Sequence, residues 1–357
     1  EFTQVGGITA NNIAKWDSSI ASWSIIEDKN TGVTGVDGAV KSLFYHEPSG
    51  VLYVGGSFTK AGGVADTSCV AVLDTNNNIW SSVSSAMAGD FDVVNAIAVD
   101  STKGILYAGG YFSEAGGVPV NNIAAVDLAT KAWSALGKGT NDEVNAIAYD
   151  STNKILYVGG WFTAVGNLAE GDLSANYIAK CDVSGASTWS AFGTGMNGNV
   201  NALVYYEDWM GYECLAVGGK FTSADGIPVN NIAKYDFDGS QWYSIGSGTN
   251  NEVNAIYVST YYSVLYAGGH FTSAGGVSAN HIAKFDLYFE DGWQAIASGA
   301  SDTVRTISLV DDYNILYMGG DFATAGGKAS KYLAKCGMEG GLLLPPAPTA
   351  VIAYPSD

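Results

Sequence analysis

A glycine pair recurs along this chain at Gly55-Gly56, Gly109-Gly110, Gly159-Gly160, Gly218-Gly219, Gly268-Gly269 and Gly319-Gly320. After one variable residue each pair is followed by Phe58, Phe112, Phe162, Phe221, Phe271 or Phe322. The intervals between pairs are 54, 50, 59, 50 and 51 residues. A period in this range means that one supersecondary unit is copied along the chain, each copy burying its apolar faces against its neighbours.

Every copy contains four short apolar runs. Run a is of the "VNAIA" type and begins at Val40, Val94, Val144, Val200, Val253 and Val304; run b is "ILYVGG". Run c is "NIAKWD", and run d opens on Trp23, Trp80, Trp133, Trp189, Trp242 or Trp293. The runs are rich in Val, Ile, Tyr and Trp and bounded by Gly, Asn, Asp and Ser, the pattern of strands in an antiparallel meander. No segment sustains a 3.6-residue apolar period, so the chain reads as all-β.

Four strands every ~53 residues, in units too small to bury both faces alone, describe the four-stranded antiparallel blades of a β-propeller. The Gly-Gly closing b, the aromatic-Asp of c and the Trp opening d resemble kelch-type repeats. More closely, "LYVGGSFTKAGGVADTSCVAVLD" and "NNIAKWD" are similar to kelch-like repeats of secreted bacterial and fungal surface proteins, including the Rax2-like family. The resemblance covers residues 1–338 and implies a secreted or cell-surface setting.

Residues 40–83, 94–136, 144–192, 200–245 and 253–296 give complete blades, with c and d alone at the amino terminus and a, b and c at the carboxyl terminus. If the amino-terminal d completes the carboxy-terminal a, b and c, a six-bladed ring spans residues 1–340, closed by strands from both termini and free of open edges. A truncated seven-bladed ring is the alternative, with "GGLLLPPAP" as a degenerate d strand. Residues 341–357 read as a Pro-rich linker or the start of a following sandwich-type module.

Composition excludes some partners. With 16 Lys+Arg against 35 Asp+Glu the formal net charge is −19, which opposes binding to a phosphate backbone. No apolar run approaches the ~20 residues that span a bilayer, so no membrane insertion is expected in this segment.

The residues capable of chemistry do not converge. His46, His270 and His281 read as single substitutions in different blades, and the galactose-oxidase type of copper site, with two His and a crosslinked Tyr, has no counterpart. Cys69, Cys181, Cys214 and Cys336 have no metal-ligand spacing; a disulfide among them stays open, and Cys181 and Cys336 read as small buried residues. The carboxylates Asp17, Asp74, Asp127, Asp182, Asp236 and Asp286 recur in nearly every copy, as residues accepting N–H groups in the c–d turn would. "DFDGS" at 236–240 lacks the further carboxylates of a calcium loop. The glycine pairs precede no helix and cannot cradle phosphate; their expected role is steric. No catalytic residue, metal or cofactor is therefore expected.

Function is sought where the repeat varies. The slot after the glycine pair holds Ser57, Tyr111, Trp161, Lys220, His270 and Asp321, a rosette able to bind a ligand. Two insertions stand out: "VGNLAEGDLSAN" in the b–c loop of the third blade, and "YEDWMGYE" with Trp209 and Tyr212 in the a–b loop of the fourth. These loops should emerge on opposite faces. Exposed aromatics of this kind stack on sugars or anchor proteins. The expectation is a non-catalytic adhesion, recognition or structural module of an extracellular or cell-surface protein, its partner a protein or a glycan. A glycan-binding lectin and a carbohydrate-active enzyme module are the alternatives, the latter requiring a carboxylate pair or metal cluster.

Overall fold

The computed structural model describes residues 2–17, 20–85, 87, 92–167, 171–289, 292–310, 314–337 and 350–352. The chain divides into two compact units, which are described separately. The Pro-rich stretch 341–357 and the degenerate d strand expected within it lie outside the described residues, apart from Ala350–Ile352.

The first unit holds three complete blades with strands hydrogen-bonded in the order a-b-c-d. They are Ala39–His46, Val51–Ser57, Val70–Asp74 and Ile79–Ser82; then Val93–Asp100, Ile105–Tyr111, Ile123–Asp127 and Trp133–Ala135; then Val144–Asp150, Ile155–Gly160, Ile178–Asp182 and Thr188–Ala191. The second unit holds Val200–Glu207, Glu213–Gly219, Ile232–Asp236 and Gln241–Ser244, followed by Val253–Ser259, Val264–Gly269, Ile282–Asp286 and Trp293–Ala295. Its last sheet is three-stranded: Val304–Val310, Ile315–Gly320 and Leu333–Gly337. All these pairings are antiparallel, as the period-two runs require.

The first unit also holds the amino-terminal c and d strands. Ser22–Ile25 pairs with Ala14–Asp17, whose other edge carries Ala350–Ile352 with Lys15 opposite Ile352. Ala350–Ile352 thus lies on the edge of Ala14–Asp17 away from Ser22–Ile25.

Cores form where one blade lies against the next. In the first unit, Val94, Ile97 and Val99 of strand a pack with Val70 of the preceding blade and with Leu106, Phe112 and Trp133 of their own. In the second, Val253, Ile256 and Val258 pack with Ala216, Ile232 and Ile245 before them and Phe271, Phe285 and Trp293 after. The first glycine of the pair makes this approach possible at Gly55, Gly109, Gly218 and Gly268. A Cβ on Gly55 would lie 2.8 Å from Val94 Cγ1, and one on Gly218 2.7 Å from Val253 Cγ1. The second glycine sits at a β-bulge, where the register between a and b shifts; a Cβ on Gly110 would collide with the Val93 carbonyl oxygen. The pair is thus steric, one residue for each neighbour.

Candidate functional site

The slot residues occupy one backbone position in successive blades. The amide N–H of Trp161, Lys220, His270 and Asp321 donates to the carbonyl of Glu143, Asn199, Glu252 and Thr303, respectively, each just before strand a. Strand b therefore ends against the entry to strand a, and the slot side chain projects where the b–c loop begins.

A side-chain latch that sequence reading missed fixes these loops. Both side chains of the "NN" before strand c hold the loop arriving from strand d. Asn121 and Asn122 donate to the carbonyls of Lys138 and Thr140 at 2.6 and 3.0 Å. Asn230 and Asn231 donate in the same way to Ser247 and Thr249 at 3.0 and 2.8 Å. That loop is clasped in turn to the b–c loop of the following blade: Asn250 Oδ1 accepts from the N–H groups of Thr272 and Ser273 at 2.9 and 3.0 Å. Asn141, Asn197, Asp37 and Ser301 repeat the clasp. The signal that could have revealed it was the recurrence of Asn, Asp or Ser two to four residues before strand a.

On this fixed backbone the slots differ chemically. In the first unit, Tyr111 and Trp161 are each 53% exposed. In the second, Lys220 lines a polar cleft of about 600 Å³ walled by Thr222, Asn230, Thr249, Asn250 and Ser273. His270 Nδ1 lies 2.6 Å from Thr303 Oγ1. Asp321 takes a bidentate contact from Arg305 Nε at 3.0 and 2.9 Å, with Arg305 Nη2 at 2.8 Å from Oδ2. The Asp321 slot thus presents an ion pair and not a lone carboxylate.

His270 and His281 require a correction. Both belong to the fifth blade, with ring centroids 6.0 Å apart. Asp302 lies near both; the Thr303 N–H holds its carboxyl below the ordinary range, with smaller contributions from the two imidazoles. His46, by contrast, is paired with Ser49 at 2.7 Å in a turn of the first unit. Among the described residues no group of three or more His, Cys, Asp or Glu could hold a metal ion.

The other titratable groups are engaged in structure. Each of the four thiols is free, and burial pushes Cys69 and Cys214 up to about 11 and Cys181 to about 12, far from a reactive thiolate. The recurrent aspartates act as turn acceptors: Asp127 Oδ1 takes the N–H groups of Ala129 and Thr130, and Asp236 Oδ1 those of Asp238 and Gly239. The "DFDGS" segment is therefore an Asx turn.

Trp209 and Tyr212 lie in the turn between Val200–Glu207 and Glu213–Gly219, at the opposite end of strand b from Lys220. Asp208 Oδ1 accepts from Met210 and Tyr212 and shapes that turn. The third-blade insertion forms a hairpin, Ala164–Asn167 with Gly171–Ser174, against Gly139–Thr140; its residues 168–170 lie outside the described set. No helix is long and apolar enough to cross a membrane among the described residues.

Comparison with known proteins bears on the fold. A comparison with curated protein sequences found no significant match. Among solved structures the chain is similar to the WD40 repeats of RRP9, with a TM-score of 0.55 at 10% identity over 83% of this chain and 76% of that one. It is also similar to U3-55K, with a TM-score of 0.54 at 10% identity and the same coverage. The chain is an all-β propeller of repeated antiparallel blades, and its residues 134–245 match the family model of the Rax2 C-terminal beta propeller domain.

Proposed function

We propose that this propeller is a non-catalytic recognition module of a secreted or cell-surface protein, which engages a protein partner through the loops of its first unit that bear Tyr111 and Trp161. One observation carries the reading: equivalent, latched backbone positions present different side chains in each blade, and the two aromatic ones are more than half exposed. A rigid loop with a variable, solvent-facing residue suits recognition, because little ordering cost is added on binding. The resemblance to kelch-like repeats of surface proteins supports the extracellular setting.

A glycan partner is the second reading, favoured by the exposed Trp161 and Tyr111 rings. Two experiments separate the readings. A photoreactive residue at 161 should crosslink a protein whose retention is lost in Trp161→Ala or Tyr111→Ala but kept in Tyr45→Ala. Retention that ignores every slot substitution would contradict the proposal, and ring-dependent capture on a glycan array would favour the lectin.

A further inference from the structure

The last sheet of the second unit holds strands a, b and c, and among the described residues nothing pairs with the outer edge of its strand c, Leu333–Gly337. The preceding blade has its strand d in that place. There Trp293 stands opposite Phe285 of strand c, with ring centroids 5.4 Å apart, and donates its indole N–H to the Ile245 carbonyl at 3.0 Å. It packs among Ile245, Ala267, Ala279 and Ala283. It also lies so near Gly275 that a Cβ there would be 2.7 Å from Trp293 Cδ1.

One repeat further, 51 residues on, the counterparts of these positions are Ile296, Met318, Ser330, Ala334, Cys336 and Gly326. All six line one open cavity of about 290 Å³. A Cβ on Gly326 would meet nothing nearer than Ala297 Cβ at 4.0 Å. Phe285 is buried, whereas its counterpart Cys336 is only half-buried. The cavity therefore has the lining of an indole seat, and no described residue fills it. Ala297 carries a methyl where Gly246 stands, but Ser84 holds the same place ahead of Trp133, whose indole still reaches a carbonyl, that of Ser85.

No Trp of this chain is free to take the seat. The six that belong to strand d, Trp23, Trp80, Trp133, Trp189, Trp242 and Trp293, each stand opposite a residue of strand c in their own sheet. Trp16 lies in a strand c, Trp161 in a slot and Trp209 in an a–b turn, and residues 338–357 contain none. A second copy of the chain has the same Trp residues engaged in the same way.

We infer that the edge of Leu333–Gly337 binds an extended segment of a partner protein in the place of strand d, with a Trp seated in this cavity, its N–H on the Ile296 carbonyl, and an acidic residue following it opposite Lys335. Strand addition of this kind draws affinity from main-chain hydrogen bonds and specificity from pockets for alternate side chains. The register follows from the preceding blade, where Phe285, Lys284 and Ala283 face Trp293, Gln294 and Ala295. Cys336, Lys335 and Ala334 accordingly face the Trp and the two residues after it. The acidic residue follows from charge. Residues 322–337 carry Lys328, Lys331 and Lys335 with neither Asp nor Glu, and among the described residues none of the three is in an ion pair. Opposite charges facing one another across a strand pair stabilise it. The site lies wholly within the second unit, so it neither depends on nor supports the recognition role proposed for Tyr111 and Trp161.

The test uses the whole chain and a fluorescein-labelled peptide, Gly-Ser-Thr-Trp-Glu-Ala-Ile-Ser, with counterparts in which Ala replaces the Trp or Lys replaces the Glu. The Trp-Glu peptide should bind, and the Ala counterpart should bind about tenfold more weakly or worse, as loss of an aromatic anchor does. The Lys counterpart should be about two- to fivefold weaker, and Lys335→Glu should reverse that order with the melting temperature maintained. Ala334→Leu, which fills the seat, should abolish binding. Bound peptide should also slow maleimide labelling of Cys336, the one thiol of the four that is not buried. Binding that ignores the Trp, a preference unchanged in Lys335→Glu, or labelling of Cys336 indifferent to the peptide would overturn the inference. So would no binding at all, the result expected if residues 338–349 cover this edge or if two copies of the chain pair through it.

Discussion

Two glycines with different neighbours do different work in this repeat, and substitution should separate them. At Gly218 an added methyl meets the branched Val253 and Ile256 of the next blade. Overpacking of this kind costs about 1–3 kcal/mol, so Gly218→Ala should lower the unfolding free energy by that much, seen as a lower denaturant midpoint at unchanged m. At Gly276 an added methyl meets nothing within 4 Å, and the expected penalty comes from φ of +80° alone, about 1–2 kcal/mol. The residue before strand c is left-handed throughout: Asn12, Asn122 and Asn231, but also Cys69, Tyr177, His281 and Tyr332. Asn tolerates this conformation better than bulkier side chains do. Tyr332→Asn should therefore raise the melting temperature, and a fall would show that the Tyr332 ring contributes more than its backbone costs. The sequence made the steric need of the glycine pair readable, because every copy repeats it. It concealed the Asn latch, because the same letters are compatible with a strand and only the fold shows their side chains reaching another loop.

At the scale of the strand and turn, one buried carboxylate should dominate acid sensitivity in the first unit. Asp100 closes an a–b turn by accepting the N–H groups of Thr102 and Lys103, and it also accepts the Tyr149 hydroxyl at 2.6 Å, with Lys154 at 3.7 Å. Burial alone would raise its pKa; these donors and the Lys154 charge outweigh that and bring it to about 2 from 3.8. The folded state thus holds this group ionised more strongly than the unfolded chain does. Its stabilisation is complete above about pH 4 and is lost as pH falls towards 2. Tyr149→Phe removes one donor and should move acid unfolding of the first unit to higher pH; an unchanged acid midpoint would mean that the turn N–H groups suffice. The turns also show where reading a sequence falls short. Trp209 stands out in the sequence as part of an insertion, but its contact with Tyr288 is not legible there, since only the adjacency of two blades brings their turns together.

On the scale of the whole chain, recurrent residues maintain the blades, while the slot residues Tyr111 and Trp161 face solvent. The low charge content fits sheets covered on both faces, and the net charge of −19 restricts anionic partners without naming a ligand. Strand number and order within blades followed from periodicity, whereas the place of Ala350–Ile352 beside Ala14–Asp17 did not, because a free edge accepts any compatible extended segment. If slot residues serve recognition and the repeat serves stability, the two properties must come apart under mutation. The most direct measurement is partner affinity and thermal midpoint for Tyr111→Ala and Trp161→Ala on one preparation. The expected result is a midpoint within a few degrees of the parent and affinity reduced by about tenfold or more. A marked fall in the midpoint with affinity intact would make these side chains part of the scaffold and contradict the proposed role.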